Sequence, residues 1–367
     1  MPLFPPALCR RLIVKIGSAL LVDAQGEVRR GWLQAVAAEI AARRGAGQDV
    51  AVVSSGAIAL GARRLGLAKG GRASLEDAQA AAATGQIVLS RTWAETLAEV
   101  GLTAAQILVT LDDLEDRRRY LNAAATLDRL LGLGVVPVIN ENDSVATAEI
   151  RFGDNDRLAA RVAQAAGAQG VILLSDVDGL YDRNPAQSGA RHIPRVERID
   201  AAVEAMADRG SASGIGSGGM VSKVAAARIA NAAGVPLAIA SGRTDHPLSA
   251  DTRHTLFAAD RAAPARKAWL AGGLTARGTI HVDDGAARAL AAGASLLAAG
   301  AVRLEGTFAR GDMVSIAAPS GPIARGLVEY DAADAARLLG RRSDEQAGIL
   351  GHAPRAALVH RSHMALL

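Results

Sequence analysis

Four short clusters of polar residues interrupt the apolar segments of this chain, and their residue types fit the binding of anions. The first is Lys15-Ile16-Gly17-Ser18, where a lysine stands inside an apolar run that ends in glycine. Burying a lysine is costly unless it meets an anion, and the glycine lets a ligand approach the backbone. The cluster predicts an anion site at a strand end, with a lysine that reaches solvent as the alternative.

The second cluster, Ser54-Ser55-Gly56-Ala57, follows an apolar run and precedes a helical pattern. Small residues at such a corner leave the first N–H groups of the helix exposed, and these groups bind carboxylates or phosphates. The alternative is a serine whose hydroxyl only caps the helix.

The third cluster is a glycine-rich run from Ser211 to Lys223. Its G-x-G-x-x-G spacing does not indicate a dinucleotide site, because a helical pattern precedes it and no acidic residue follows about 20 positions on. It is not a Walker A loop either, since Ser222 stands where that motif needs glycine. A loop that cradles phosphates and adds the charge of Lys223 remains, with a plain linker as the alternative.

The fourth cluster has two halves. Asn140-Glu141-Asn142-Asp143 follows a buried strand pattern, and Asp154-Asn155-Asp156 opens a helix. Ligands of open α/β sheets bind beyond the carboxyl ends of the strands, so both halves predict a ligand site. Asp-rich turns that only cap a helix are the alternative.

Together the clusters suit phosphoryl transfer to a carboxylate, which needs charge neutralisation and alignment more than covalent catalysis. Lys15 and Lys223 would offset the charge of the transferring group, and Asp156 would hold both ammonium groups. Mg²⁺ would bridge the phosphates of the nucleotide. A carboxylate acceptor has a pKa near ~4.3 and needs no general base, which agrees with seven histidines that all lie outside the clusters.

The elements that must position these clusters alternate along the chain. Apolar runs typical of buried strands and segments with helical spacing follow one another to about residue 258. This order predicts an α/β fold, a mostly parallel sheet sandwiched by helices, whose strand ends would bring the clusters to one edge. Shorter strand-like segments follow a charged stretch that contains proline. We predict a catalytic domain at residues 8–258, a linker at 259–275 and a small β-rich domain at 276–360.

Composition narrows the class of protein. Half of the 367 residues are hydrophobic, so a sizeable core can form. The 41 basic residues barely exceed the 37 acidic ones, which does not argue for a nucleic-acid partner. A single cysteine fits a reducing compartment, and no uncharged apolar run reaches the ~18 residues of a membrane helix. We therefore expect a cytoplasmic protein without a membrane span.

Several runs resemble those of the bacterial glutamate 5-kinase family, which has the amino-acid kinase fold. The resemblance covers nearly the whole chain, and its most specific parts are Val136 to Ile150 and the glycine-rich run. The C-terminal part is similar to the PUA domain that this family carries. The runs are V-K-I-G-S, V-S-S-G-A-I, V-P-V-I-N-E-N-D-S-V-A-T-A-E-I, F-G-D-N-D, L-L-S-D-V-D-G-L-Y and G-I-G-S-G-G-M-V-S-K.

The resemblance implies ATP-dependent phosphorylation of the γ-carboxylate of L-glutamate, the first step of proline biosynthesis, with Mg²⁺ held through the ATP phosphates. Lys15, Lys223 and Asp156 would be catalytic. Asp143 would pair with an ammonium group, and Asn155 could donate to a carboxylate. The implied glutamate-binding residues are Ser55, Gly56, Asn140, Asp143, Asp154 and Asn155. The implied nucleotide-binding residues are Lys15, Gly17, Ser175, Asp176, Ser217, Gly218, Gly219, Met220, Val221, Ser222 and Lys223.

The resemblance also implies a homodimer or homotetramer, a downstream glutamyl phosphate reductase, and feedback inhibition by proline, felt by the loop from Ser144 to Phe152. Two alternatives stay open. Another carboxylate kinase of the same fold, acting on acetylglutamate or aspartate, would share the lysines and the glycine-rich run. An RNA-binding protein that acts through the PUA domain is the other, and the near-neutral C-terminal part argues against it.

Overall fold

The structure, a computed structural model, describes residues 3–145, 155–210, 219–249, 252–259 and 275–367, except for the side chains of 208–210. Its internal contacts divide the chain into two compact units, Met1–Glu115 with Ala123–Arg261 and Asp116–Asn122 with Ala262–Leu367. The predicted domain boundaries stay predictions, because residues 260–274 of the proposed linker lie outside the described ranges. None of the helices within these ranges is long and apolar enough to cross a membrane.

Strands and helices alternate along the first unit. The strands are β1 Arg11–Ile16, β2 Asp49–Ser54, β3 Ala104–Val109, β4 Val136–Glu141, β5 Gly170–Ser175, β6 Leu180–Tyr181, β7 His192–Ile193, β8 Arg195–Val196, β9 Leu237–Ser241 and β10 His254–Phe257. The helices are α1 Ser18–Leu21, α2 Arg30–Gly45, α3 Ala57–Leu65, α4 Leu75–Glu99, α5 Leu111–Glu115, α6 Arg117–Gly132, α7 Asn155–Ala166, α8 Ala201–Gly210 and α9 Met220–Ala232. The residues of α6 up to Asn122 are assigned to the second unit.

One sheet of eight strands organises this unit, in the order β3-β4-β2-β1-β5-β9-β10-β8. The neighbouring strands from β3 to β9 pair in parallel, whereas β10 runs antiparallel to β9. Every residue of β4 and β5 is buried, which requires cover on both faces of the sheet. The prediction of a mostly parallel sheet between helices is confirmed.

Helices α3 and α4 touch backbone to backbone. A methyl group on Gly61 would collide with the carbonyl group of Ala81, and one on Gly85 would collide with the carbonyl group of Ala57. Only glycine fits at both positions, because backbone atoms cannot give way as a flexible side chain can. Since α3 starts directly after β2, this contact fixes the position of α4 relative to the end of β2.

The second unit is small and rich in strands, as predicted. Its core contains Ile280, Phe308, Ile316 and Leu338. The strands are β11 Gly278–Val282, β12 Ala301–Gly306, β13 Met313–Ala318, β14 Gly321–Val328 and β15 Val359–Leu366, and the helices are α10 Asp284–Ala291, α11 Ala332–Leu338 and α12 Gln346–Leu350. The strands form one sheet in the order β12-β11-β13-β14-β15.

The last strand differs from the sequence-based expectation. Its apolar start predicts a strand at residues 356–360, whereas β15 spans Val359–Leu366 and pairs with β14. Arg361, Ser362 and His363 give this stretch a polar appearance. His363 is nevertheless buried, as are the two residues that follow it, so the sheet extends into a segment that hydrophobicity alone does not mark.

Candidate active site

The parallel strands bring polar groups from distant parts of the chain to one edge of the sheet. Strands β4, β2, β1 and β5 are consecutive neighbours and point the same way, so their carboxyl ends lie side by side. Lys15 lies near the end of β1, Ser55 follows β2, and Asn140 and Ser175 lie at the ends of β4 and β5. The strand topology therefore brings residues of the first, second and fourth clusters to one edge of the sheet, as the sequence predicts.

Asp156, in the first turn of α7, lies buried between two lysines. Its Oδ1 is 2.6 Å from Lys15 Nζ, and its Oδ2 is 3.1 Å from Lys223 Nζ. Asp156 is 0% exposed and the lysines are 6% and 5% exposed, so the alternative of a solvent-reaching Lys15 is wrong. A methyl group on Gly17 would lie 3.9 Å from Lys15 Nζ, so this glycine flanks the ammonium group closely.

The charges of the buried triad Lys15, Asp156 and Lys223 favour the binding of an anionic ligand. Burial lowers the pKa of Lys15, Asp156 opposes the shift, and the charge of Lys223 adds to it. Burial would raise the pKa of Asp156, but the two lysines together hold it below its ordinary value. One buried carboxylate is therefore shared by two ammonium groups, with a weaker attraction of Lys15 to Asp176, and such an arrangement suits a further anion.

Asn155, the residue before Asp156, joins a hydrogen-bond network across the strand ends. Its Nδ2 donates to Ser55 Oγ at 2.8 Å and to Asn140 Oδ1 at 3.2 Å. Asn140 donates through its own Nδ2 to Gln86 Oε1 at 2.8 Å. The structure thus brings together three of the predicted glutamate-binding residues and adds Gln86, from α4.

Two expectations about this network change. Both N–H groups of Asn155 are used within the protein, so this side chain does not offer a donor to a carboxylate. Ser55 does not cap α3, because the cap position is Gly56, with no side-chain hydrogen bond. Gly56 has φ 116°, a conformation that residues with a Cβ rarely adopt, and the Ser55 hydroxyl is left to accept from Asn155.

Asp143 opens a short 3-10 turn, Asp143–Val145, after β4. With Gln86 and Glu141 it lines a cavity of about 360 Å³. Burial raises the pKa of Asp143 to about 6, while the charge of Arg72 lowers it less. A carboxylate that is poorly solvated gains from a cationic partner, so this position suits an ammonium group of a ligand.

The predicted nucleotide-binding residues lie at the end of β5 and the start of α9. Ser175 is buried, and its hydroxyl donates to Asp176 Oδ1 at 3.1 Å. The cap residue of α9 is Gly219, which makes no side-chain hydrogen bond to the helix. Backbone N–H groups in the first turn of a helix bind phosphates. The N–H groups of Ser222 and Lys223 donate to the carbonyl oxygen of Gly219 at 3.0 and 3.3 Å, so the backbone donors that this turn offers to a phosphate are those of Met220 and Val221, beside the ammonium group of Lys223.

Part of the predicted site lies outside the described residues. Asp154 of the glutamate-binding set, Ser217 and Gly218 of the nucleotide-binding set, and most of the loop expected to respond to proline belong to these stretches. The roles of all site residues stay predictions.

Sequence reasoning missed two residues of α4. The indole Nε1 of Trp93 donates to Ser54 Oγ at 2.9 Å in the buried interior, and Gln86 accepts from Asn140. Both residues lie on a helix whose other buried positions are mostly alanine, glycine and leucine. A polar residue directly after Gly85, in an otherwise alanine-rich stretch, is the signal that could have identified Gln86.

Comparisons with known proteins agree with this architecture. Residues 10–241 match the amino acid kinase family, and residues 278–350 match the PUA domain. The chain therefore belongs to the amino acid kinase family.

Its curated relatives specify the group within that family. A glutamate 5-kinase from Sphingopyxis alaskensis is 75% identical, and the match covers 100% of both chains. Glutamate 5-kinases from Novosphingobium aromaticivorans and Zymomonas mobilis are 63% and 62% identical, over 98% and 99% of this chain and 96% and 93% of theirs. Within the amino acid kinases the chain thus belongs with the glutamate 5-kinases, and the resemblance seen in the sequence is confirmed.

Proposed function

We propose that this chain transfers the γ-phosphoryl group of ATP to the γ-carboxylate of L-glutamate, which gives ADP and L-glutamyl 5-phosphate in the first step of proline biosynthesis. The observation that carries the proposal is the buried carboxylate of Asp156 held between Lys15 and Lys223. The relatives of this chain are glutamate 5-kinases that match it along nearly their full length, and their name is the basis for proposing glutamate as the substrate. Formation of ADP that depends on L-glutamate, followed in a coupled assay, tests the proposal.

The reaction balances without a proton transfer. A lone pair of the glutamate γ-carboxylate forms a new O–P bond to the γ-phosphorus, and the bond to the bridging oxygen breaks with its electron pair on ADP. The acceptor is already ionised at neutral pH, so no general base is needed. The ammonium groups of Lys15 and Lys223 offset the charge that spreads over the transferring group, and Asp156 fixes both in place before the reaction starts.

Mg²⁺ enters as part of the MgATP substrate. Among the described residues, no group of three His, Cys, Asp or Glu side chains is placed to hold a metal ion. The carboxylate of Asp156 is engaged by two lysines. As the family resemblance implies, Mg²⁺ would be held through the phosphates of ATP, where it would offset their negative charge.

Recognition of glutamate rests on charge and hydrogen bonds at the end of β4. Asp143 pairs with the α-ammonium group, and the network of Ser55, Asn140 and Asn155 holds the amino acid in line with the phosphates. The partly buried carboxylate of Asp143, which lines the cavity at the end of β4, is the strongest support for this orientation.

Replacing Asp143 with asparagine is expected to raise the KM for glutamate about 30- to 100-fold, because a charge-assisted hydrogen bond is lost. In the wild-type protein the KM should rise as the pH falls below the pKa of Asp143, about 6, since the protonated group no longer attracts an ammonium ion. The variant should lack this pH dependence. Steady-state kinetics at several pH values measure both effects.

The control for this experiment is Asp284→Asn, which neutralises an exposed aspartate of the second unit. It should leave the KM and its pH dependence unchanged. An Asp143→Asn protein with a KM within twofold of wild type would remove Asp143 from the glutamate site.

Replacing Asp143 with asparagine should also stabilise the folded protein in the absence of substrate. Folding raises the pKa of Asp143 from 3.8 to about 6, so the folded state binds more protons than the unfolded state between these values. The free-energy cost of holding Asp143 ionised in the folded state is absent below about pH 4 and reaches its full value above the pKa of the folded protein. Because Asp143 is partly exposed, we expect the free energy of unfolding of Asp143→Asn to exceed that of wild type by roughly 1–2 kcal/mol at alkaline pH. The two proteins should be equally stable in acid. Urea unfolding at both pH values tests this, and equal stabilisation at both would refute it.

A panel of acceptors separates the proposal from its nearest alternative. Acetylglutamate lacks a free ammonium group and aspartate is one methylene shorter, so neither should support ADP formation at the rate of glutamate. For the RNA-binding alternative, tight and salt-sensitive RNA affinity in a filter-binding titration would count in its favour.

The remaining proposals rest on the family resemblance. They are a homodimer or homotetramer, inhibition by proline beside the glutamate pocket, hand-over of the product to glutamyl phosphate reductase, and a cytoplasmic location. An acyl phosphate hydrolyses readily, which gives the hand-over a chemical reason.

A further inference from the structure

The direction of every hydrogen bond in the amide network can be assigned from one backbone group. The backbone N–H of Glu141 donates to Asn140 Oδ1 at 2.9 Å, and a backbone N–H can only donate. The oxygen of the Asn140 amide is therefore fixed on that side. Its nitrogen must point the other way, toward Gln86, at 2.8 Å.

The orientation of the Asn140 amide in turn fixes the orientation of the Asn155 amide. Since Asn140 presents Oδ1, the group of Asn155 that lies 3.2 Å away must be the donor Nδ2. The second N–H of that amide is used by Ser55 Oγ at 2.8 Å. Turning the Asn155 amide over would set two carbonyl oxygens against each other, which costs a hydrogen bond and adds repulsion.

The result is a buried acceptor. Asn155 Oδ1 is inaccessible to solvent and has no hydrogen-bond partner in the described part of the chain. Buried polar atoms are nearly always paired in folded proteins, so a ligand donor that displaces the atoms now covering this oxygen would complete its hydrogen bonding. An ammonium group has three N–H donors, whereas a carboxylate has none.

We propose that Gln86 is a positioning residue that, through Asn140, keeps the Asn155 carbonyl oxygen directed at the α-ammonium group of glutamate. This inference rests on the proposed function for the identity of the ligand. Gln86 supplies the acceptor Oε1 that the Asn140 amide needs on its far side. Without it, the Asn140 nitrogen is unpaired and the network loses the bond that holds its orientation.

The fold gives Gln86 a rigid base. The residue before it, Gly85, is one of the two glycines at which α4 touches the backbone of α3. Helix α3 begins directly after Ser55 and Gly56, so the acceptor on α4 and the hydroxyl on the β2 end belong to one packed unit. Gln86 is partly buried, which strengthens its hydrogen bond over one in water.

Two substitutions of Gln86 distinguish a hydrogen-bonding role from a packing role. Gln86→Met keeps the length of the side chain and removes the acceptor, and it should raise the KM for glutamate about 10-fold while the KM for ATP changes less than about twofold. Gln86→Glu keeps an acceptor oxygen and should stay within about threefold of wild type. A packing role predicts the opposite order, because methionine suits a partly apolar environment and a charged group does not.

A substrate analogue adds a readout that general damage to the site would not give. Glutarate carries both carboxylates of glutamate but no ammonium group, so it cannot use Asn155 Oδ1. Its inhibition constant against glutamate should be the same in wild type and Gln86→Met. Gln34→Met is the matched control, since Gln34 on α2 also makes one side-chain hydrogen bond, in which its Nε2 donates to Glu99 at 2.9 Å, but is removed from the site. It should behave as wild type.

The outcomes separate the two proposals. If the wild-type protein forms no ADP with glutamate, the proposed function fails before any variant is compared. If the wild type is active and Gln86→Met leaves the KM for glutamate within twofold, or Gln86→Glu is as impaired as Gln86→Met, the positioning role is wrong. A parallel rise in the inhibition constant of glutarate would overturn it too. Calorimetric titration of glutamate onto the folded variants gives the same comparison independently of turnover.

Discussion

Lys223→Ala should lower kcat about 1,000-fold or more and leave the KM for glutamate within a few-fold of wild type. Its ammonium group acts on charge that develops on the transferring phosphoryl group, and preorganised groups of this kind contribute most in the transition state. The side chain is 5% exposed and lies 3.1 Å from Asp156, so its charge acts in a site that is largely closed to water. Initial rates over a range of glutamate and ATP concentrations measure the effect.

The control for this prediction is Lys69→Ala, which removes an exposed lysine of the same unit. Its kinetic constants should match the wild type. A Lys223→Ala protein that retains more than about a tenth of wild-type kcat would show that this lysine does not stabilise the transition state.

Asp156→Asn should have the second large effect, and it should appear in stability as well as in rate. The asparagine has the shape of aspartate but no charge, so two buried ammonium groups lose their shared counter-ion. Removing one partner of a buried ion pair typically costs about 3–5 kcal/mol. The kcat should fall by about 1,000-fold, because Lys15 and Lys223 lose the carboxylate that aligns their ammonium groups.

The pH dependence of this loss has a defined sign. Burial already lowers the pKa of Lys15, and removing the carboxylate that opposes the shift lowers it further. A lysine whose folded pKa is depressed binds fewer protons in the folded state, so stability rises with pH. The gap in unfolding free energy between Asp156→Asn and wild type should therefore narrow as the pH rises from about 7 toward 10.

Asp128→Asn serves as the control, because Asp128 pairs with Arg11 at 2.7 Å but its side chain is 66% exposed. Exposed pairs contribute about 0–1 kcal/mol, so its stability should change little at any pH. Equal losses in the two variants, or a gap that widens with pH, would contradict the buried triad.

The sequence predicts much of this site because strand periodicity and topology act together. Lys15, Asn140 and Ser175 each stand at the end of an apolar run, and parallel strands in neighbouring positions bring such ends to one edge. The order of residue types then predicts an anion site without any coordinates. The last strand shows the limit of this reasoning, because β15 contains buried His363 in a stretch that looks polar.

The hydrogen-bond directions could not be predicted in this way. Whether Asn155 donates to a ligand or accepts from one depends on Asn140, which depends in turn on a backbone N–H and on Gln86 from a different helix. None of these dependencies follows from periodicity. The close contact of α3 with α4 at Gly61 and Gly85 is likewise a property of packing.

We propose that this chain phosphorylates the γ-carboxylate of L-glutamate at the expense of MgATP. The most direct measurement combines ADP formation in a coupled assay with trapping of the acyl phosphate by hydroxylamine, with and without proline. We predict ADP and a γ-glutamyl hydroxamate in equal amounts, only when L-glutamate is present, and a lower rate with proline. Absence of both products with glutamate, together with ADP formation with aspartate or acetylglutamate, would contradict the account.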